Sequence, residues 1–287
     1  MRAGRWLLLC LALALGAITQ VMATEPPHLP ILVYHQIRNG PAGPPDSLEA
    51  ISLARFEAQM RHLRDQGYAT LSAQEVVEYV RGAPAPASKI VAIHFDDGWK
   101  SAQLAIPVLD RFGFKATFWI IAGKGIGWPH MDWEEVQALA RNPRYDVQSH
   151  SMTHPWKDGD TLLDWMAGRV PGKEADQARW ELRESRRVLA EKLGRPVSHF
   201  AWPRGLYDES LVGIAVEEGY AGLFTVDDGV NRQGDDVRRL RRTMVHGGCD
   251  DDVFAQIVRD GVYRACDTIR HGAAPRMRSA AGAETRR

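Results

Sequence analysis

Several function classes are excluded by what this sequence does not contain. Its 287 residues include three cysteines, too few for the disulfide framework of a small secreted domain. Neither sign of charge is in surplus, with 36 Lys and Arg against 36 Asp and Glu. The chain therefore lacks the overall basic footprint of a nucleic-acid binder. It has no Gly-x-Ser-x-Gly motif and no phosphate-cradling glycine loop, which weakens serine-esterase and kinase readings. No internal repeat is present, and no Pro/Ser-rich linker divides Ile31 to Arg270. The one long apolar run, Trp6 to Ile18, falls short of the roughly 20 residues that span a membrane.

That run has a different meaning. Arg2 and Arg5 precede it, and Val21-Met22-Ala23 offers small residues for cleavage before Thr24. This is the pattern of a secretory signal peptide. The expected organisation is a signal at 1–23, a short linker at 24–29, one domain at 30–270 and a disordered basic tail at 271–287. Export places the protein in the periplasm or outside the cell, with no stable membrane span after cleavage. It also permits a disulfide between Cys249 and Cys266. However, Asp251 to Asp260 reads as a helix of about 15 Å, and a bridge needs Cα atoms within about 7 Å. Two free thiols are the simpler expectation.

Seven β-rich runs alternate with helical patterns: Ile31–His35, Ile90–Phe95, Ala116–Ile121, Tyr145–Ser149, His199–Trp202, Gly222–Val226 and Arg241–Val245. Several are apolar on both faces, as buried parallel strands are. Ser72-Ala73-Gln74-Glu75 and Asp132-Trp133-Glu134-Glu135 have capping-box spacing. Gly67 and Gly194 stand where helices should stop. The pattern predicts an α/β fold: a distorted (β/α)7 barrel of parallel strands with helices outside, in a single domain. Barrel active sites lie at the C-terminal ends of strands, so a functional motif should follow a strand directly.

Three motifs do. His94-Phe95-Asp96-Asp97-Gly98 sets two carboxylates at a strand end, where one can hold a metal and its neighbour can take a proton. An Asp-Gly turn is also common, and Asp227-Asp228-Gly229 repeats the tripeptide. His150-Ser151-Met152-Thr153-His154 spaces two imidazoles four apart, so that one helical turn would bring both to a single ion. Phe200-Ala201-Trp202-Pro203-Arg204-Gly205 offers Trp202 and Pro203 as a flat wall for a sugar or an acetyl methyl; core packing is the plainer alternative. One carboxylate with two imidazoles matches the three-ligand open site of catalytic zinc.

Taken in order with Val33-Tyr34-His35 and Ala116-Thr117-Phe118-Trp119, these motifs resemble the NodB-like polysaccharide deacetylases, carbohydrate esterase family four. The resemblance runs from about Pro30 to Arg270. It implies Asp96 as general base, with Asp97, His150 and His154 holding a divalent metal, usually zinc. It also implies a hydrolase that removes acetyl groups from a polysaccharide. The balanced charge leaves no nucleic-acid partner expected, and the chain is expected to act as a monomer. Where many members carry an Arg that orients the base, this chain has Ala201. With Trp202-Pro203 following, it resembles the subgroup that acts on exported poly-β-1,6-N-acetylglucosamine. Arg242 or Arg204 are the candidates to replace that Arg. His246 corresponds to the late general-acid histidine and Asp227 to a charge-tuning aspartate. His94 stands in place of the usual Thr as a core or supporting histidine. Peptidoglycan, chitin and O-acetylated glycans remain alternative substrates, and a non-catalytic glycan binder on the same fold is the alternative class.

Overall fold

A computed structural model describes residues 26–40, 49–123, 126–247 and 251–262. The expected signal, the Cys249–Cys266 question and the basic tail lie outside these residues.

The core is one curled sheet. From one side its parallel strands run Gly222–Phe224, His199–Ala201, Tyr145–Ser149, Ala116–Ile120, Ile90–Phe95 and Leu29–Tyr34. Thr243–Met244 joins Leu29–Tyr34 in parallel, and Val230–Asn231 pairs antiparallel with its first residues. All seven expected strands are present, most of them shorter at the C-terminal end. His199–Ala201 stops before Trp202, and only Thr243–Met244 pairs from the Arg241–Val245 run. An eighth parallel strand, Ala69–Leu71, pairs with the first half of Ile90–Phe95, through Ala69↔Ile90 and Leu71↔Ala92. Ala116–Ile120 takes the second half, through His94↔Thr117. Three residues are too few to show a period, so this strand carries no sequence signal.

Every residue of Leu29–Tyr34, Ile90–Phe95 and Ala116–Ile120 is buried, which explains their unbroken apolar reading. Side chains alternate between two layers. Val91, Ile93 and Phe95 join the outer core under the helices. Ile90 and Ala92 join an inner cluster with Ile31, Trp119, Ala201 and Phe224. The helix Ala73–Val80 belongs to that inner cluster through Val76, Val77 and Val80. It closes the end of the curl where the strands begin, leaving the opposite end open. Its start is the expected capping box: Glu75 N–H donates to Ser72 Oγ, and Ser72 N–H to Glu75 Oε2. Ala73 N–H also donates to Thr117 Oγ1 at 2.9 Å, tying the helix to the sheet. Asp132 caps Trp133–Arg141 in the same way. Gly194 ends Ala175–Leu193 in the left-handed conformation. No described helix is long and apolar enough to cross a membrane.

Gly222 sits where this closing helix meets the sheet. A Cβ there would lie 2.5 Å from Val77 Cγ2 and 2.9 Å from His199 Nδ1. Gly222→Ala is expected to destabilise the fold by about 1–3 kcal/mol through overpacking. Gly213, on the helix Glu209–Glu217, has open space around it. Gly213→Ala is expected to stabilise by about 0.5–1 kcal/mol. Urea unfolding midpoints moving in opposite directions would check both.

Candidate active site

The open end of the curl holds a cavity of about 870 Å³ whose walls include His35, Asp96, Asp97, His150, His154, Trp156, Trp202, Arg204 and His246. Asp96 N–H still donates to Tyr34 O at 2.9 Å, extending the sheet by one residue. The chain then turns sharply, with φ of 70° at Asp97 and 72° at Gly98. A Cβ on Gly98 would come within 3.0 Å of Ile120 Cδ1, so glycine is required there on both conformational and steric grounds. Four described non-glycine residues have positive φ: Asp97, Ser151, His154 and Arg204. All lie in loops around this cavity, where backbone strain is characteristically stored.

Asp97 Oδ1 lies 3.3 Å from His150 Nε2 and 3.4 Å from His154 Nε2. His150 Nδ1 is 2.9 Å from the carbonyl of Ala201. A carbonyl only accepts, so that nitrogen carries the proton and Nε2 turns its lone pair toward Asp97. Asp97 Oδ2 accepts from Trp99 Nε1 at 3.0 Å, whereas buried Oδ1 has no hydrogen-bond partner. Three acceptors thus converge on one point. A tetrahedral ion bonded at about 2.0–2.1 Å sets its ligand atoms about 3.3–3.4 Å apart, and the donor set fits such a cation.

The electrostatics agree. Burial works against ionisation of Asp97, but the His150 contact and the charges of His35, His150 and His154 outweigh it and hold the carboxyl far below its usual range. Burial pushes His154 down to about 4, with His150 adding to the effect. Burial also opposes charge on His150, yet Asp96 and Asp97 raise it above the usual imidazole value. The site favours positive charge at the point where its acceptors meet, a place that would suit a cation as well as a proton.

Asp96 is paired with Arg242. Nη1 donates to Oδ1 at 2.7 Å and Nη2 to Oδ2 at 2.9 Å, while Nε donates to Thr225 O at 2.7 Å. Arg242 is fully buried, its guanidinium carbon 5.7 Å from the Trp119 ring centre. Burial would raise the Asp96 pKa; Arg242 outweighs it and lowers the value. Asp96 Oδ2 is 4.0 Å from His150 Nε2, so this oriented carboxylate borders the acceptor cluster.

Of the two arginines suggested to face the base, Arg204 does not. Its Nη1 donates to Trp156 O at 2.7 Å and to Asp158 Oδ1 at 2.6 Å, because the left-handed Arg204 backbone aims the side chain at the next loop. The suggested wall also differs. Trp202 borders the cavity but is fully buried, edge-on to Phe200 and stacked on Tyr207. Pro203 is buried in the turn Pro203–Gly205 and does not line the cavity. His246 does line it. Asp227 accepts from Tyr207 Oη at 2.8 Å, and its carbonyl accepts from Arg242 N–H. His94 lies wholly inside, edge-on to Trp119 and Phe224, and burial keeps it neutral.

The two cluster histidines do not sit on a helical turn as their spacing predicts. They bracket an irregular loop in which Ser151 Oγ accepts from His154 N–H at 2.9 Å. The loop is held by a residue that sequence reading missed. Glu181 is fully buried and accepts from Met152 N–H at 2.9 Å, Thr153 N–H at 2.8 Å and the Thr153 hydroxyl. Its signal was available, since it shares the buried helix face of Ala178, Leu182, Ser185 and Leu189. A carboxylate in that stripe needs polar partners.

Residues 83–223 match the family model described as polysaccharide deacetylase. This stretch is a domain of the polysaccharide deacetylase family. YxkH of Bacillus subtilis, named provisionally as a polysaccharide deacetylase, is 29% identical over 239 residues, 83% of this chain and 78% of that protein. The poly-β-1,6-N-acetyl-D-glucosamine N-deacetylase of Escherichia coli is 25% identical over 218 residues. That match covers 63% of this chain but only 31% of the larger enzyme. The structure of IcaB from Ammonifex degensii superposes with a TM-score of 0.68 at 27% identity, over 82% of this chain and 97% of that one. The deacetylase fold, a curled sheet of parallel strands with helices, is therefore shared, and the cavity at its open end is the candidate active site.

Glu181→Ala would leave the Met152 and Thr153 N–H groups and the Thr153 hydroxyl without their acceptor. The variant is expected to bind a divalent metal about 10–100-fold more weakly, as loss of outer support to metal ligands does. Metal titration in competition with a chromogenic chelator would check this, with circular dichroism confirming the fold.

Proposed function

We propose that this enzyme removes N-acetyl groups from an exported N-acetylglucosamine polymer of the poly-β-1,6-linked type, in the periplasm or outside the cell, using a divalent metal, zinc by preference. The observation that carries the reading is the buried Asp96–Arg242 pair bordering the Asp97, His150 and His154 cluster at the floor of a glycan-sized cavity. A binding module has no need of an oriented, ionised base at that place.

In this reading Asp97, His150 and His154 hold the metal. Such an ion, when bound, polarises a carbonyl and makes water acidic enough to act near neutral pH. Asp96 takes the proton from the attacking water, and Arg242 keeps its carboxylate ionised and correctly turned. His246, on the same cavity wall, gives a proton to the departing nitrogen. The C–N bond breaks, acetate leaves, and a free amine remains on the sugar. No covalent enzyme intermediate is needed.

The polymer type rests on two supports. The Escherichia coli relative is named for that substrate. The chain also has Ala201 in place of the usual base-orienting Arg, and Arg242 fills the role from a different strand end. The purified enzyme should release acetate and free amine in equal amounts from poly-β-1,6-N-acetylglucosamine. It should lose this with a metal chelator and regain it with zinc. Faster release from chitin, peptidoglycan or an O-acetylated glycan would reassign the substrate. Absence of chelator-sensitive release from all of them would favour a glycan-binding protein.

A further inference from the structure

Four large apolar side chains are markedly exposed among the described residues: Trp128, Trp156, Val216 and Val262. Of these, Trp156 alone lines the active-site cavity. It is 57% exposed. Leaving an indole in water at the mouth of a site is unfavourable unless something covers it in use.

Its backbone is anchored on both sides. Trp156–Lys157 pairs antiparallel with Asp160–Thr161, through Trp156↔Thr161 and Lys157↔Asp160. Gly159, with φ of 77°, makes the turn between them. At the far strand Asp160 accepts from Lys173 Nζ at 2.9 Å and Trp165 Nε1 at 2.6 Å. At the near strand Arg204 grips the Trp156 carbonyl and the Asp158 carboxylate from across the cavity mouth. Arg204 pairs with the Asp158 carboxylate and Lys173 with that of Asp160, so both acids of the hairpin are matched by cations. An anchored aromatic face beside matched acids suits a ligand with an apolar face of its own. A β-linked N-acetylglucosamine ring has one, because its equatorial substituents leave the axial C–H bonds to form it.

We infer that Trp156 is the stacking platform of a sugar subsite next to the reacting residue, and that Arg204 is its positioning residue. The inference rests on the polymer reading above and deepens it by assigning where the neighbouring sugar binds. The platform acts on binding of chain rather than on hydrolysis. It therefore favours oligomers over single sugars and is indifferent to small acetyl esters.

The test uses the full metal-loaded chain with β-1,6-linked N-acetylglucosamine oligomers of one to five units, and with 4-nitrophenyl acetate. Trp156→Ala should raise KM for the pentamer about tenfold and leave kcat within about twofold. The monomer and the ester should be hydrolysed as by wild type, and Trp156→Tyr should restore most of the affinity. Arg204→Ala should reproduce the KM rise, and the double variant should be no worse than Trp156→Ala, since both remove one platform. An unchanged pentamer KM in Trp156→Ala would overturn the inference. So would an equal loss on pentamer and ester, which would make Trp156 part of the hydrolytic machinery. A wild-type enzyme that cleaves the ester but no glucosamine oligomer would instead contradict the substrate reading, and the platform with it.

Discussion

Two adjacent carboxylates, Asp96 buried and Asp97 half-buried, stand at the end of one strand, and the rest of the site compensates their charge. Asp96 has a guanidinium on both oxygens. Asp97 has a tryptophan N–H on one oxygen and two imidazole nitrogens near the other. Without these partners burial would drive both carboxyls to their neutral form, and neither could act as a ligand or a base. Breaking such a buried pair costs about 3–5 kcal/mol, because an unpaired charge is left behind. The linkage has a definite sign. Asp96 is held below its unfolded value, so its pair stabilises the fold above about pH 4 and that contribution fades as the pH falls through the lowered value.

The fold supplies the compensation from distant parts of the chain. Ala201 is the last residue of its strand, and its carbonyl sets the tautomer of His150. Thr225 and Asp227, beyond the next strand, hold the Arg242 side chain and backbone. Glu181, from a helix outside the sheet, supports the loop between His150 and His154. Because the strands are parallel, all these loops open at one end. The short helix Ala73–Val80 closes the other end and fills the interior there with aliphatic side chains.

How much of this was legible follows from the range of each interaction. Strands buried on both faces write themselves as apolar runs, and Asp96-Asp97 and His150…His154 are local, so both could be read directly. The tripeptide Asp227-Asp228-Gly229 reads the same as Asp96-Asp97-Gly98, yet its first carboxylate is spent on Tyr207. Only the fold separates the two. Arg242 lies 146 positions from Asp96, so spacing could not choose it over Arg204. The choice depended on which way a left-handed Arg204 backbone points its side chain. An aromatic after a strand is ambiguous between a sugar wall and core packing, and only the fold decides: Trp202 borders the cavity but packs against Phe200 and Tyr207, while the exposed indole at the cavity is Trp156.

The central claim is that Arg242 keeps Asp96 ionised as the base beside the metal cluster. The direct measurement is the pH dependence of kcat/KM in Arg242→Met against wild type, with metal content determined in both. Removing the guanidinium leaves Asp96 buried without its cation, so its pKa must rise. The account predicts a variant that still binds one metal ion, turns over slowly, and has the acidic limb of its profile moved up by about one to three pH units. A metal-loaded variant with wild-type rate and an unmoved acidic limb would contradict it.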